Sequence, residues 1–284
     1  MDLKSNLTLI EAQKRASIFL EENGFDGHLA RYYWLSLFDW SLTDYILKLH
    51  QPISKQEEAL YQSALNRIIQ FEPIQYITGS AEFMNEKFKV TTDTLIPRED
   101  TAGLVELAAD YLKSQPTASV LDIGTGTGII PIMLAKIYPT ANIVACDISP
   151  QALKVADFNR AQHNVSIELL ESDLFEQVPL ENKFDLILSN PPYIAEDEMK
   201  WMDESVKKFE PISALYAENN GLAIYQRLAV ECQPFVHNTS LIILEVGFRQ
   251  AETVKQIFKE QFPQADITIH QDLNQHNRYV RIQL

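Results

Sequence analysis

The chain has little with which to cross-link itself or hold a metal. Only two cysteines occur in 284 residues, Cys146 and Cys232, far apart in sequence. Cys146 sits in the apolar run at 142–147, which suits a small buried residue better than a disulfide partner. The six histidines are scattered, and no His/Cys spacing matches a zinc site, so no metal is expected. No segment approaches the roughly 18 consecutive apolar residues that a membrane helix needs. The first fourteen residues lack the charged-then-apolar pattern of a secretory leader, so a cytoplasmic protein without membrane attachment is expected. Positive charge is scarce too, with 24 Lys+Arg against 39 Asp+Glu and a formal net charge of -15. Residues 1–73 hold 7 basic and 10 acidic side chains, a net of -3, which leaves -12 on residues 74–284. An acidic surface repels phosphate backbones, so stable nucleic-acid binding is not expected, and the plainest service of the charge is solubility.

What is present is enough apolar material, 46% of residues, for a sizeable core, and enough length for two domains of about 100 to 200 residues each. The first seventy residues read as helical. Thr8 with Glu11 and Ser54 with Glu57 form Ser/Thr-x-x-Glu capping boxes, and Leu9, Ala12, Ala16, Phe19 and Leu20 recur at helical spacing up to Gly24, a left-handed stop. Residues 28–40 and 57–70 supply two more helices, giving a small bundle. Its aromatic cluster, Tyr32, Tyr33, Trp34, Phe38 and Trp40, reads as core, with a partner-binding face as the alternative. From residue 74 to 97, β-branched and aromatic residues flank the turn-like Met84-Asn85-Glu86, which predicts a linking β-hairpin. Residues 98–284 then form the larger domain. After a helix over 100–113, strands and helices alternate, which predicts an α/β fold: a doubly wound, mainly parallel sheet with helices on both faces. Only seven residues separate the last two strands, too few for a crossover helix, so the final strand is antiparallel.

Glycine is sparse, nine in all, yet three of the nine fall in Gly124-Thr125-Gly126-Thr127-Gly128, between strand 119–123 and a helix. Such a loop allows a tight turn and lets a ligand approach the backbone at the carboxyl edge of the sheet. Ile129 stands where a dinucleotide fingerprint requires glycine, and no Lys-Ser/Thr follows as a phosphate-binding loop demands. An ordinary strand-to-helix turn is the alternative. The second strand ends in Asp147, 23 residues beyond Gly124, where a carboxylate can accept hydrogen bonds from ribose hydroxyls. The third ends in Ser172-Asp173. Either Asp alone reads as a helix cap. Together, at the ends of successive strands, they resemble the binding edge of a class I S-adenosylmethionine-dependent methyltransferase.

The fourth strand ends in Asn190-Pro191-Pro192-Tyr193. Proline fixes φ and has no N–H, so this stiff corner can hold a carbonyl toward a cleft, and Asn190 adds a side-chain acceptor. Two such acceptors match the two hydrogens of an NH2 group, with the Tyr193 ring expected as an apolar wall. The implied chemistry is direct displacement, with an amide nitrogen attacking a methyl group on a sulfonium. That nitrogen is a poor nucleophile, so in-line positioning and acceptor dipoles must carry the catalysis, and the proton can leave late without a dedicated base.

Residues 73–79 (PIQYITG), 94–100 (TLIPRED), the glycine loop, 145–153 (ACDISPQAL), 172–175, 189–194, 209–215 (FEPISAL), 220–228 and 244–247 (LEVG) together resemble, in order and over nearly the whole chain, the PrmC/HemK family. Those enzymes methylate the side-chain nitrogen of the glutamine in the Gly-Gly-Gln tripeptide of class 1 peptide chain release factors. The resemblance implies S-adenosyl-L-methionine as cofactor and S-adenosyl-L-homocysteine as product. It implies that Gly124, Thr125, Gly126, Thr127, Gly128, Asp147, Asp173, Leu174 and Asn190 hold the cofactor. It further implies that Asn190, Pro191, Pro192 and Tyr193 bind the glutamine, with Asn190, Pro191 and Tyr193 catalytic. Class 1 release factors are the expected partners, touched by the helical domain 1–73 away from the reacting glutamine, and a monomer is expected. Against the family's Pro-Arg-Pro-Glu-Thr-Glu, Pro97, Arg98 and Thr101 match and Asp100 keeps the charge, while Ala102 loses a carboxylate; Leu174 stands where the family typically has tryptophan. The Asn-Pro-Pro-Tyr sequence also occurs in adenine-N6 nucleic-acid methyltransferases, and a non-catalytic cofactor-binding module is a third reading.

Overall fold

The computed structural model describes residues 4–284, with side chains from Leu7 onward; residues 1–3, part of the stretch read above for a leader, lie outside the described residues. Two compact units emerge. One comprises residues up to Gly79 together with Asp203–Phe209, the other Ser80–Met202 with Glu210–Leu284.

The first unit is built from α1 (Leu9–Glu22), α2 (Leu29–Phe38), α3 (Leu42–Lys48), α4 (Lys55–Ile68), α5 (Ile74–Thr78) and, from later in the chain, α9 (Glu204–Phe209). Both expected capping boxes form. The Glu11 carboxylate accepts from the N–H and hydroxyl of Thr8 at 2.8 Å each, and Ser54 and Glu57 exchange bonds of 2.7 and 3.1 Å. Trp34, fully buried, packs against Phe38, Trp40 and Tyr61 with ring centroids 4.7, 6.0 and 4.5 Å away, so the aromatic cluster is core, with Tyr32 alone largely exposed. Three features were not legible. The ribbon β1 (Lys4–Thr8) and β2 (Pro52–Ser54) pairs segments too short to show alternation. Helix α3 buries only Tyr45 and leaves Leu42, Ile46 and Leu47 exposed, so it carries no apolar face toward the core. The hairpin expected from residue 74 is corrected: residues 74–78 are helical, framed by Pro73 at the N-cap and by Gly79 in the left-handed region, φ 70°. Five residues rich in Ile and Thr carry too little periodicity to separate strand from helix.

In the second unit the hairpin proper is β3 (Ser80–Phe83) and β4 (Glu86–Lys89), turning through Met84 and Asn85 at φ 49° and 63°. Helix α6 (Thr101–Leu112) leads into β5 (Ser119–Ile123), α7 (Ile129–Ile137), β6 (Asn142–Asp147), α8 (Pro150–Gln162), β7 (Glu168–Glu171) and β8 (Phe184–Ser189). After an irregular excursion come α10 (Glu218–Gly221), α11 (Ala223–Glu231), β9 (Val236–Glu245), α12 (Ala251–Gln261), β10 (Asp266–Gln271) and β11 (Asn277–Gln283). The seven-stranded sheet has the order β10-β11-β9-β8-β5-β6-β7, parallel except for β11, which is antiparallel to both neighbours. This is the mainly parallel, doubly wound sheet with an antiparallel last strand that the alternation predicts. Tyr225, Leu228, Val254 and Phe258 from α11 and α12 cover one face, and Leu104, Val105, Ile132 and Leu134 from α6 and α7 the other. Both cysteines are free and buried. No helix among the described residues is long and apolar enough to cross a membrane.

β11 is tied to the start of α6. The Tyr279 hydroxyl donates to the Asp100 carbonyl, and a Cβ on Gly103 would lie 2.3 Å from the Tyr279 oxygen. Gly103→Ala is therefore expected to cost about 1–3 kcal/mol of stability through overpacking, read as a lowered urea midpoint at unchanged slope.

Asp122, inside β5, is fully buried with neither carboxylate oxygen hydrogen-bonded. Burial pushes its carboxyl up to about 7, with the nearby Thr125 hydroxyl opposing and Asp147 adding to the rise. The folded-state value lies above the unfolded one, so the proton it holds stabilises the fold at low pH, and that contribution is lost as pH climbs from about 4 through about 7. Asp122→Asn is freed of this loss. The melting temperature of the variant minus that of the parent is expected to be higher at pH 8 than at pH 5 by at least about 2 °C; a difference independent of pH rules the account out.

Candidate functional site

The carboxyl ends of β5, β6, β7 and β8 open onto one cleft of about 320 Å³, a size suited to a small-molecule ligand. Gly124, Thr125, Gly126 and Thr127 line it, with Asp147, Asp173, Leu174, Asn190, Pro191 and Pro192. Ten of the twelve residues singled out from the sequence thus share one cavity. The other two do not line it. Gly128 is the N-cap of α7, where a Cβ would meet Ile132 and Ala156 at 3.1 and 3.3 Å, so its service is close packing of α7 on α8. Tyr193 turns to the core on the α11 face of the sheet, and burial pushes its hydroxyl up to about 12. Tyr193 is therefore not among the residues that line the cleft, where the aromatic side chain is Tyr216.

The glycine loop is shaped by its own bonds. Gly124 and Thr125 both donate to the Cys146 carbonyl at 2.9 and 3.0 Å, Gly126 donates to Asp147 Oδ2 at 2.8 Å, and Gly128 donates to the Thr125 carbonyl at 2.8 Å. Gly124 and Gly126 have φ of 73° and 53°, which a side chain would strain. With these N–H groups satisfied internally, the loop is not a phosphate cradle. At Gly124 and Gly126 nothing lies within 4 Å of where a Cβ would stand, so the backbone is open to close approach.

Asp147 is not itself the cap of α8 but buttresses the glycine loop and the residue that is. Its oxygens accept from Gly126 and from Ser149 at 2.9 Å, while Ser149 caps α8 by accepting from Ala152 at 3.1 Å. Each carboxylate oxygen keeps a further lone pair for a hydroxyl donor. Burial raises its pKa, opposed by the backbone donors of Ser149, Gly126 and Ile148. Asp173 is engaged by Arg227, at 2.9 Å, and Arg227 also pairs with Glu231. Leu174, at φ 48°, offers the cleft an aliphatic surface and gives its carbonyl to Ser172 Oγ at 3.0 Å.

Asn190 shows an arrangement that sequence reasoning did not find. Its Nδ2 donates to Thr101 Oγ1 at 3.2 Å, and both side chains adjoin the buried carboxylate of Glu245, whose Oε2 has no hydrogen-bond partner. Burial pushes the Glu245 carboxyl up to about 7, opposed by Thr101, Arg278 and Asn190, with Asp100 raising it further. With one NH2 hydrogen given to Thr101 and that end of the amide beside Glu245, Asn190 has Oδ1 free to accept from a ligand. The signal available was a lone glutamate closing the apolar run at 241–246. Arg98 and Arg227 also line the cleft, and Arg98 pairs with buried Glu210. No cluster of metal-ligating side chains occurs among the described residues.

The PrmC N-terminal domain model matches residues 11–79, and the methyltransferase small domain model matches residues 102–210. A release factor glutamine methyltransferase of Enterococcus faecalis is 38% identical over 93% of this chain and 94% of its own length. That of Lactococcus lactis is also 38% identical, over 96% of this chain and 98% of its own. Among solved structures, the hMettl16 catalytic domain in complex with an RNA hairpin is similar with a TM-score of 0.56 and 15% identity, covering 81% of this chain and 80% of that one, a likeness of fold alone. Similarity to those enzymes extends over both units and nearly end to end, and the chain belongs to the release factor glutamine methyltransferase family.

Proposed function

We propose that this protein transfers a methyl group from S-adenosylmethionine to the side-chain amide nitrogen of the glutamine in the Gly-Gly-Gln motif of class 1 peptide chain release factors. The observation that carries this reading is the cleft in which the glycine loop meets Asn190, whose NH2 group donates to Thr101. The residues present fit the cofactor. The loop spends its N–H groups on the protein, as suits a ligand lacking phosphate; Asp147 keeps lone pairs for ribose hydroxyls; and buried, unpaired Asp122 makes the surroundings favourable to a cation. When bound, S-adenosylmethionine supplies a methyl group made electrophilic by the sulfonium.

The work of the chain is positioning. Asn190 Oδ1, aided by a carbonyl of the diproline corner, accepts from the NH2 group of the substrate and orients its nitrogen for in-line attack. The same acceptors stabilise the positive charge that develops on that nitrogen. An ionised Glu245 behind Thr101 and Asn190 polarises the Asn190 amide and makes Oδ1 a stronger acceptor. Tyr193 contributes through its buried packing. A cytoplasmic location and a monomeric state accompany this reading.

Mass spectrometry of a release factor incubated with the enzyme and labelled S-adenosylmethionine is expected to place one methyl group on the Gly-Gly-Gln glutamine, with Asn190→Ala abolishing most of the transfer. Label appearing in nucleic acid alone defeats the proposal. For Glu245→Gln, loss of the negative charge behind Thr101 and Asn190 is expected to lower kcat about tenfold. The wild-type kcat is expected to rise between pH 6 and pH 8 as Glu245 ionises, and the variant profile to be flatter over that range. Identical profiles would remove Glu245 from the account.

A further inference from the structure

Pro191 and Pro192 have no N–H, so the corner that carries the proposed acceptors cannot tie itself down and must be held from its flanks. On the entering side, Ser189 Oγ donates to the Ile123 carbonyl at 2.7 Å, and Asn190 is bonded to Thr101. On the leaving side, Ile194 donates to the Leu215 carbonyl at 2.8 Å and accepts from Ala217 at 3.1 Å. Between them, the Tyr193 carbonyl accepts from Gln250 Nε2 at 2.8 Å. The same Nε2 donates to the Asn220 carbonyl at 3.2 Å, while Gln250 Oε1 accepts from Gly247 N at 3.2 Å.

Gln250 is therefore a three-way junction. One amide joins the diproline corner, the segment before α11 and the turn after β9. The partner segment is held in an unusual conformation: Asn219, Asn220 and Gly221 are consecutively left-handed, at φ 55°, 56° and 79°. Backbone of that kind persists only where the surroundings over-determine it, and here it lets Gly221 lie against Tyr193. A Cβ on Gly221 would stand 2.0 Å from the Tyr193 carbonyl oxygen and 2.5 Å from Gln250 Nε2. We infer that Gln250, with Gly221 beneath it, is a positioning residue for methyl transfer, clasping the Tyr193 carbonyl so that Asn190 and Pro191 present their acceptors in fixed register. The inference rests on the methyltransferase reading above and adds a residue that lies outside the cleft lining.

Gln250→Glu separates this role from a merely structural one. A carboxylate still accepts from Gly247 at the start of α12, but it cannot donate to Tyr193 and sets two acceptors face to face. With full-length enzyme, S-adenosylmethionine and a class 1 release factor, kcat is expected to fall tenfold or more, while affinity for S-adenosylmethionine stays within twofold and the melting temperature within about 3 °C, the scale of one surface contact. Hydrogen exchange across residues 193–197 is expected to quicken at least fivefold, with 101–112 unchanged. An unaltered kcat, or a fall in cofactor affinity that matches the fall in kcat, overturns the inference. Wild-type enzyme that leaves the release factor unmethylated sinks the substrate reading instead, and unchanged exchange at 193–197 then sinks the clasp by itself.

Discussion

The register of one buried strand governs the site. In β8, Ser189 lies beside Ile123 of β5 and Leu244 of β9, so the next residue along each strand, Asn190, Gly124 and Glu245, arrives at the same edge of the sheet. A slip of one residue would turn every side chain of β8 to the opposite face, putting Leu186 and Leu188 where Ile187 belongs. Close packing opposes it, because Leu186, Ile187 and Leu188 are all buried between two helical layers and leucine and isoleucine differ in shape. Packing of apolar side chains thus sets the placement of a polar one.

Around that edge the molecule spends stability on polar burial. Asp122 and Glu245 are buried carboxylates with unpaired oxygens, one in β5 and one at the end of β9, and neither is neutralised by a close ion pair. Arg278, mostly buried, instead pairs with Asp100 at 3.2 Å and Asp272 at 3.3 Å and donates to the Val246 carbonyl at 3.2 Å, binding β11 to the first turn of α6 and to the turn after Glu245. Thr101 is the next residue after Asp100. The last strand, remote in sequence from every candidate ligand contact, is therefore tied to the residue next to the one whose hydroxyl accepts from Asn190. Buried ionisable groups without partners are costly in either protonation state, and natural chains retain them mainly where a site uses them.

Legibility followed the length and regularity of each signal. Strands of β-branched residues between helices of three or more turns were readable, as were capping boxes, because each depends on neighbours within a few residues. The ribbon of β1 and β2, helix α3 and the single turn α5 were not, since their conformations depend on partners elsewhere or on too few residues to show a period. At the site, the glycine loop, the strand-end acids and the diproline corner were visible as residue types at strand ends. The packing of Tyr193 against the core on the α11 face was not visible, because an aromatic after two prolines says nothing of which way its ring turns.

By itself the sequence determined the alternation that forces a parallel sheet, and hence which residues stand at the carboxyl ends of its strands. Strand order follows from handed crossovers and apolar patterning, both written locally. What only the tertiary structure decided is how those residues are held: which end of the Asn190 amide is free, that Thr101 and Glu245 stand behind it, and that Gln250 grips the Tyr193 carbonyl. Each of these joins groups more than fifty residues apart. A hydrogen bond between such groups leaves no periodic trace in either segment, because it is selected by position in space after the core has closed.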